Sequence, residues 1–168
     1  MTLSECYAHC HEKAWSESAI ETLRRAVCLA EEQDSICLGT EHLLHALVAG
    51  ENNAVALITQ HDESSVEKIL QQLERLQPSA GLPQPPTGDI LVSPQTVKVI
   101  LTTSKLAVAE TAAANKQASC EHILIAMLIE VETVAHQVLL NIGFSYNRMI
   151  KIVGEILDSD SESNDEQT

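Results

Sequence analysis

Two adjacent acid and base pairs, Glu41-His42 and Glu121-His122, are the residues that first suggest chemistry, because a carboxylate beside an imidazole could share a proton. Each opens the same phrase, Thr40-Glu41-His42-Leu43-Leu44-x-Ala46-Leu47 and Cys120-Glu121-His122-Ile123-Leu124-x-Ala126-Met127, whose apolar spacing predicts a helix. Helical geometry argues against catalysis. Neighbouring residues point about 100° apart, so an acid and a base in sequence do not face each other. No nucleophile accompanies either pair, and no catalytic residue is expected. His42 and His122, with Leu44 and Leu124, read as structural residues of a repeated motif. A glutamate in a first helical turn is favoured by the helix dipole by about 0.3–1 kcal/mol, which alone accounts for Glu41 and Glu121.

A second candidate is the Cys6, His9, Cys10 and His11 group, with His42 and His45 as a further pair. Cys6 and Cys10 at i and i+4 would share a helix face, as metal ligands must. The spacing matches no standard zinc module, and Tyr7, Cys10 and Ala14 equally form the apolar stripe of an N-terminal helix. No metal and no cofactor are expected. The chain also lacks a Gly-x-x-x-x-Gly-Lys-Ser/Thr loop, so nothing cradles a nucleoside triphosphate.

The elements that must position these residues are duplicated. The two Glu-His phrases lie eighty positions apart, Ala54-x-x-Leu57-Ile58 is echoed by Ala135-x-x-Val138-Leu139, and Ser16-Glu17-x-x-Ile20 by Ser93-Pro94-x-x-Val97. Ile20, Leu23, Val27 and Ala30 recur at helical spacing, as do Val66, Ile69, Leu70 and Leu73. No run alternates at period two. The fold class is therefore all-α, with two tandem pseudo-symmetric four-helix repeats, an extra N-terminal helix and negligible strand. Ser64 with Glu67 reads as a capping box, and Thr40 as an N-cap hydroxyl. The expected boundaries are 1–14 for the helical extension, 15–76 for the first repeat and 77–91 for a Pro/Gly-rich linker. The second repeat takes 92–157, and 158–168 form an acidic disordered tail.

With 168 residues and few aromatic side chains, the core must be aliphatic. Phe144 and Tyr146, before the last helix, could staple that helix or anchor a partner. Arg24 and Arg25 share a helix with Glu21 and read as a solvated face. The net charge of −14 would repel a phosphate backbone, so nucleic acid is excluded as a general partner. No apolar stretch reaches bilayer length and no signal peptide pattern opens the chain, so no membrane association is expected and a cytoplasmic location is. Five cysteines, an odd number, fit reduced thiols.

Laid out this way, the chain resembles the Clp N-terminal domain, the paired helical repeat that precedes the ATPase modules of bacterial and plastid Clp unfoldases. The resemblance spans roughly Trp15 to Leu157 and rests on Gly39-Thr40-Glu41-His42-Leu43-Leu44, Trp15-Ser16-Glu17-x-Ala19 and Glu121-His122-Ile123-Leu124. It implies a free-standing version of the domain without a motor, acting as an accessory or adaptor subunit whose partners are Clp unfoldase or Clp protease subunits and client proteins. It also implies an alternative, a free-standing ligand or degron sensor that binds phosphoarginine-type or small-molecule ligands at the repeat openings. In some relatives the matching glutamates grip the guanidinium of phosphoarginine while hydroxyls at the start of each repeat hold the phosphate, which maps a ligand site onto Ser16, Glu41, Ser93 and Glu121.

Overall fold

The computed structural model describes residues 1–76, 90–109 and 117–152. The elements run α1 (Leu3–Glu12), α2 (Glu17–Glu32), β1 (Cys37–Leu38), α3 (Thr40–Val48), α4 (Asn53–His61), α5 (Ser65–Arg75), β2 (Leu91–Val92), α6 (Pro94–Ala109), α7 (Cys120–Ile129) and α8 (Val134–Asn141). A further helical run over 146–152 completes the second unit. The chain is all-α, with the extra N-terminal helix in place, and α2–α5 is answered by α6, α7, α8 and 146–152. The expected linker and acidic tail fall largely outside the described residues.

Among the described residues, strand is confined to two short parallel pairings that interlock the repeats. Cys37 pairs with Leu91 and Leu38 with Val92, and Trp15 makes an isolated bridge to Ala118. In each case the segment leading into the long first helix of one repeat pairs with the segment leading into the second helix of the other. The bonds are Ser16 N–H to Ala118 O at 2.8 Å and Ser93 N–H to Leu38 O at 3.1 Å. Each pairing satisfies backbone groups that neither repeat could satisfy alone.

The core sits around α3 and α7. Leu44 and Leu124 occupy matching places and are fully buried, as are Leu47 and Met127. Phe144 joins this core as one of its largest fully enclosed side chains, whereas Tyr146 stays 42% exposed. Phe144 enters through a reversal at Gly143, whose φ of +79° is a conformation that glycine adopts without penalty. Among the described residues no helix is long and apolar enough to cross a membrane.

Two expected caps are corrected. Ser64 makes no side-chain cap bond to α5; its hydroxyl instead donates to Asp62 Oδ1 at 2.8 Å, a charged acceptor that outcompetes a backbone amide geometry its ψ of 0° does not favour. Asp62 also pairs with Lys68 and is held well below the usual carboxylate range, first by that contact and then by Ser64. Thr40 is not the N-cap of α3 but its first residue, and its hydroxyl accepts from Ala135 N–H across the repeat boundary at 3.3 Å.

Candidate functional site

Ser16 and Ser93 hold equivalent positions at the starts of α2 and α6. Ser16 Oγ accepts from Ala19 N–H at 3.3 Å, and Ser93 Oγ accepts from Thr96 N–H at 3.1 Å. Each serine caps its helix through a short polar side chain, Ser16 on extended backbone, and Pro94 follows Ser93 at a position that needs no N–H donor. Because the repeats interlock, neither serine leads toward the glutamate of its own repeat. The Trp15–Ala118 bridge brings the Ser16 helix start beside the start of α7, where Cys120 Sγ lies 3.6 Å from Thr22 Oγ1 and 3.8 Å from Ser18 Oγ. Ser93 is carried instead to the strand before α3, where Thr96 Oγ1 donates to Leu38 O at 3.0 Å.

The histidines close the turns ahead of α3 and α7. His42 Nδ1 accepts from Gly39 N–H at 3.0 Å, and His122 Nδ1 accepts from Ser119 N–H at 3.1 Å. With Nδ1 accepting, the neutral His42 ring carries its proton on Nε2, 3.2 Å from Ser35 Oγ. Burial holds the His42 pKa below the ordinary imidazole value, against an upward pull from Glu41. A proton on Nδ1 would end the bond to Gly39.

The glutamates are engaged inside the fold, and differently. Glu41 bends back over Gly39, so that a Cβ added there would collide with its carboxylate, and its Oε1 lies 3.6 Å from His42 Nδ1. That proximity departs from the expectation that the adjacent acid and base stay apart. It arises because the side chain folds onto its own N-cap, but the Nδ1 lone pair already serves Gly39 and no proton-transfer pair results. For Glu121, burial pushes the pKa up, yet bonds from the Ser119 hydroxyl, its own backbone amide and the Asn53 side chain outweigh it and leave the carboxyl lowered. Asn53 opens α4, so Glu121 ties the second repeat to the first. Gly39, Ser119 and Asn53 were missed as candidates. For Gly39 and Ser119 the signal was the position before each Thr/Cys-Glu-His phrase; Asn53 carries none of that pattern.

The N-terminal cysteines are packed, not presented. Cys6 and Cys10 are fully buried, and burial pushes the Cys10 thiol up to about 12, which disfavours the thiolate a metal requires. His9 Nε2 is 2.9 Å from Ser104 Oγ, and among the described residues no three His, Cys, Asp or Glu side chains are placed to share an ion. Arg24 and Arg25 pair with Glu21 on a solvated face at 3.6 and 3.3 Å. A groove of about 500 Å³ opens between α5 and α8, lined by Gln72, Arg75, Leu76, Val134, Gln137 and Asn141 over buried Val138.

Comparison with known proteins accords with this geometry. The chain is 32% identical over 122 residues to the chaperone protein ClpB of Oceanobacillus iheyensis, an alignment that takes in 73% of this chain but 14% of that one. Its fold is similar to the crystal structure of the Hsp104 N-terminal domain from Candida albicans, with a TM-score of 0.68 and 20% identity over 85% of this chain and 91% of that one. It is also similar to a chain from a malarial protein secretion system, with a TM-score of 0.64 and 16% identity over 84% and 93%. Residues 14–142 match the family model of the Clp repeat (R) N-terminal domain, and the chain belongs to that family.

Proposed function

We propose that this chain is a non-enzymatic accessory or adaptor protein that docks on a Clp-type AAA+ chaperone–protease and modulates substrate delivery or assembly. The observation that carries this reading is the α5–α8 groove. Leu76 and Val134 are 53% and 41% exposed there, beside a polar rim of glutamine and asparagine side chains and the Arg75 guanidinium. Apolar side chains in a polar rim are the anatomy of a protein interface. Family membership supports a chaperone setting, and the bonding of His42 and His122 into helix caps leaves no free general base there. Affinity purification of the tagged chain from its native cell tests the proposal: Clp subunits should be recovered, and Leu76→Asp with Val134→Asp should abolish the recovery. Client proteins alone, or no Clp subunit, would reject it.

The second reading is a sensor that binds phosphoarginine-type ligands at Ser16, Glu41, Ser93 and Glu121. It draws support from the paired serine-capped helix starts, whose N–H groups suit a phosphate. The internal bonding of both glutamates and the −14 charge weigh against it. Calorimetry with free phosphoarginine should show no binding; tight binding weakened by both Glu41→Ala and Glu121→Ala would reverse the order of the two readings.

A further inference from the structure

The α5–α8 groove spans the two repeats, and its charge is of one sign. Buried Val138 forms its floor, Leu76 and Val134 stand exposed along it, and Arg75 is the one charged residue in its lining. The chain carries 24 acidic residues against 10 basic ones, so an opening with an arginine and no carboxylate is out of keeping with the composition as a whole. Arg75 has no ion pair or hydrogen bond among the described residues, whereas Arg24 and Arg25 pair with Glu21 and Lys68 pairs with Asp62. On the matching side of the molecule, where α4 meets the last helical run, the arginine is engaged internally. There Arg148 Nε–H donates to His61 Nδ1 at 3.2 Å, and the His61 ring meets Phe144 edge-on at 5.7 Å.

The polar side chains of the groove form a ladder with open ends. Gln137 Nε2 donates to Asn141 Oδ1 at 3.0 Å, and Asn141 Nδ2 donates to Gln72 Oε1 at 3.1 Å, crossing from α8 to α5. Among the described residues this leaves the Gln72 amide as a donor and Gln137 Oε1 as an acceptor, and extended main chain offers one group of each kind per residue. A groove of about 500 Å³ has the size of a ligand cleft. It suits a linear segment, since a folded partner needs a broad face of roughly 800 Å².

We propose that the groove receives an extended segment of the docking partner in which an acidic side chain stands beside an apolar one. The carboxylate meets the Arg75 fork, the apolar side chain packs on Val134, Val138 and Leu76, and the main chain pairs with Gln72 and Gln137. This rests on the docking reading above and adds the chemistry of the segment that docks. At physiological salt charges are screened over about 8 Å, so the guanidinium sets the field inside the groove while the −14 net charge acts as a damped background. That background favours a basic peptide, which makes selectivity for an acidic one a signature of the groove.

The test is fluorescence anisotropy of the full chain at physiological salt with three labelled peptides of equal length, alternating leucine with glutamate, with glutamine or with lysine. The glutamate peptide should bind tightest. Arg75→Gln should weaken it about 3-fold or more and bring it level with the glutamine peptide, while Arg75→Glu should make the lysine peptide the tightest of the three. Far-ultraviolet dichroism of each variant checks that the exposed substitution leaves the helices intact. Equal binding of the glutamate and glutamine peptides to the wild type, or a glutamate preference that survives Arg75→Gln, would overturn the proposal. Recovery of Clp subunits separates this from the docking reading: recovery lost in Leu76→Asp/Val134→Asp but untouched by Arg75→Glu keeps docking and rejects the acidic segment. Arg75-dependent peptide selectivity with no Clp subunit recovered by the wild type supports the acidic segment and rejects docking on Clp.

Discussion

The turn at Gly39-Thr40-Glu41-His42 and the turn at Ser119-Cys120-Glu121-His122 perform one structural task with different residues. In both, histidine Nδ1 accepts the N-cap amide. In the first the cap is glycine and the glutamate lies over it; in the second the cap is serine, whose hydroxyl donates to Glu121 and lies 2.8 Å from His122 Nδ1. Thr40 reaches Ala135 in α8, and Glu121 reaches Asn53 in α4. The difference teaches that duplication preserved the backbone solution and the leucine beneath it, while the polar contacts that join the repeats were reassigned between neighbouring positions.

The sharpest way to probe this equivalence is through the core. Leu44→Ala and Leu124→Ala each remove a fully buried side chain and should each cost about 3 kcal/mol in urea unfolding. A cost in one repeat and none in the other would break the structural equivalence.

The capping histidines come next. His42→Ala and His122→Ala each leave an N-cap amide without its acceptor and should cost about 2 kcal/mol. His42 adds a pH signature. Its folded pKa is lowered, so the unfolded chain binds a proton first as the pH drops. Its contribution is therefore whole above the unfolded value of about 6.5 and declines below it until the folded ring is also protonated. Comparing wild-type and His42→Ala stability between pH 7 and pH 5 should show that decline in the wild type and its absence in the variant.

Exchanging the caps has the smallest effect. Gly39→Ser gives the first turn the cap of the second. The backbone there is extended with φ −94°, so the change meets only the flexible Glu41 carboxylate and should alter stability by less than about 0.5 kcal/mol. Ser119→Gly, which removes the hydroxyl that donates to Glu121 and lies against His122, should cost about 1 kcal/mol. Equal effects of the two substitutions in thermal unfolding would show that the caps do not differ as described.

The legible parts of this molecule were those written in periodicity. The apolar spacing of Leu43, Leu44 and Leu47 and its copy at Ile123, Leu124 and Met127 are enough to place two buried helices and their correspondence. The interlock was not legible, because pairings as short as Leu38 with Val92 leave no alternating pattern to read. For the same reason the serines could be matched between repeats by sequence, while the crossing that turns Ser16 toward α7 could not. Cap identity also lay beyond sequence order: Thr40 has the right chemistry for an N-cap, yet the cap falls one residue earlier and its hydroxyl serves a helix from the other repeat. Phe144 is decided by tertiary packing, and nothing local distinguishes it from Tyr146.

Under the proposed docking role, the α5–α8 groove, and not the pair of glutamate turns, is the face that would meet a Clp assembly. The most direct measurement is the affinity of purified chain for the isolated chaperone–protease of the same cell, comparing Leu76→Asp/Val134→Asp with Glu41→Ala/Glu121→Ala. The groove substitutions should weaken binding by at least about 10-fold, as loss of exposed apolar anchors does, and the glutamate substitutions should leave it within about 3-fold of wild type. Binding that survives the groove substitutions and fails with the glutamate pair would contradict the account.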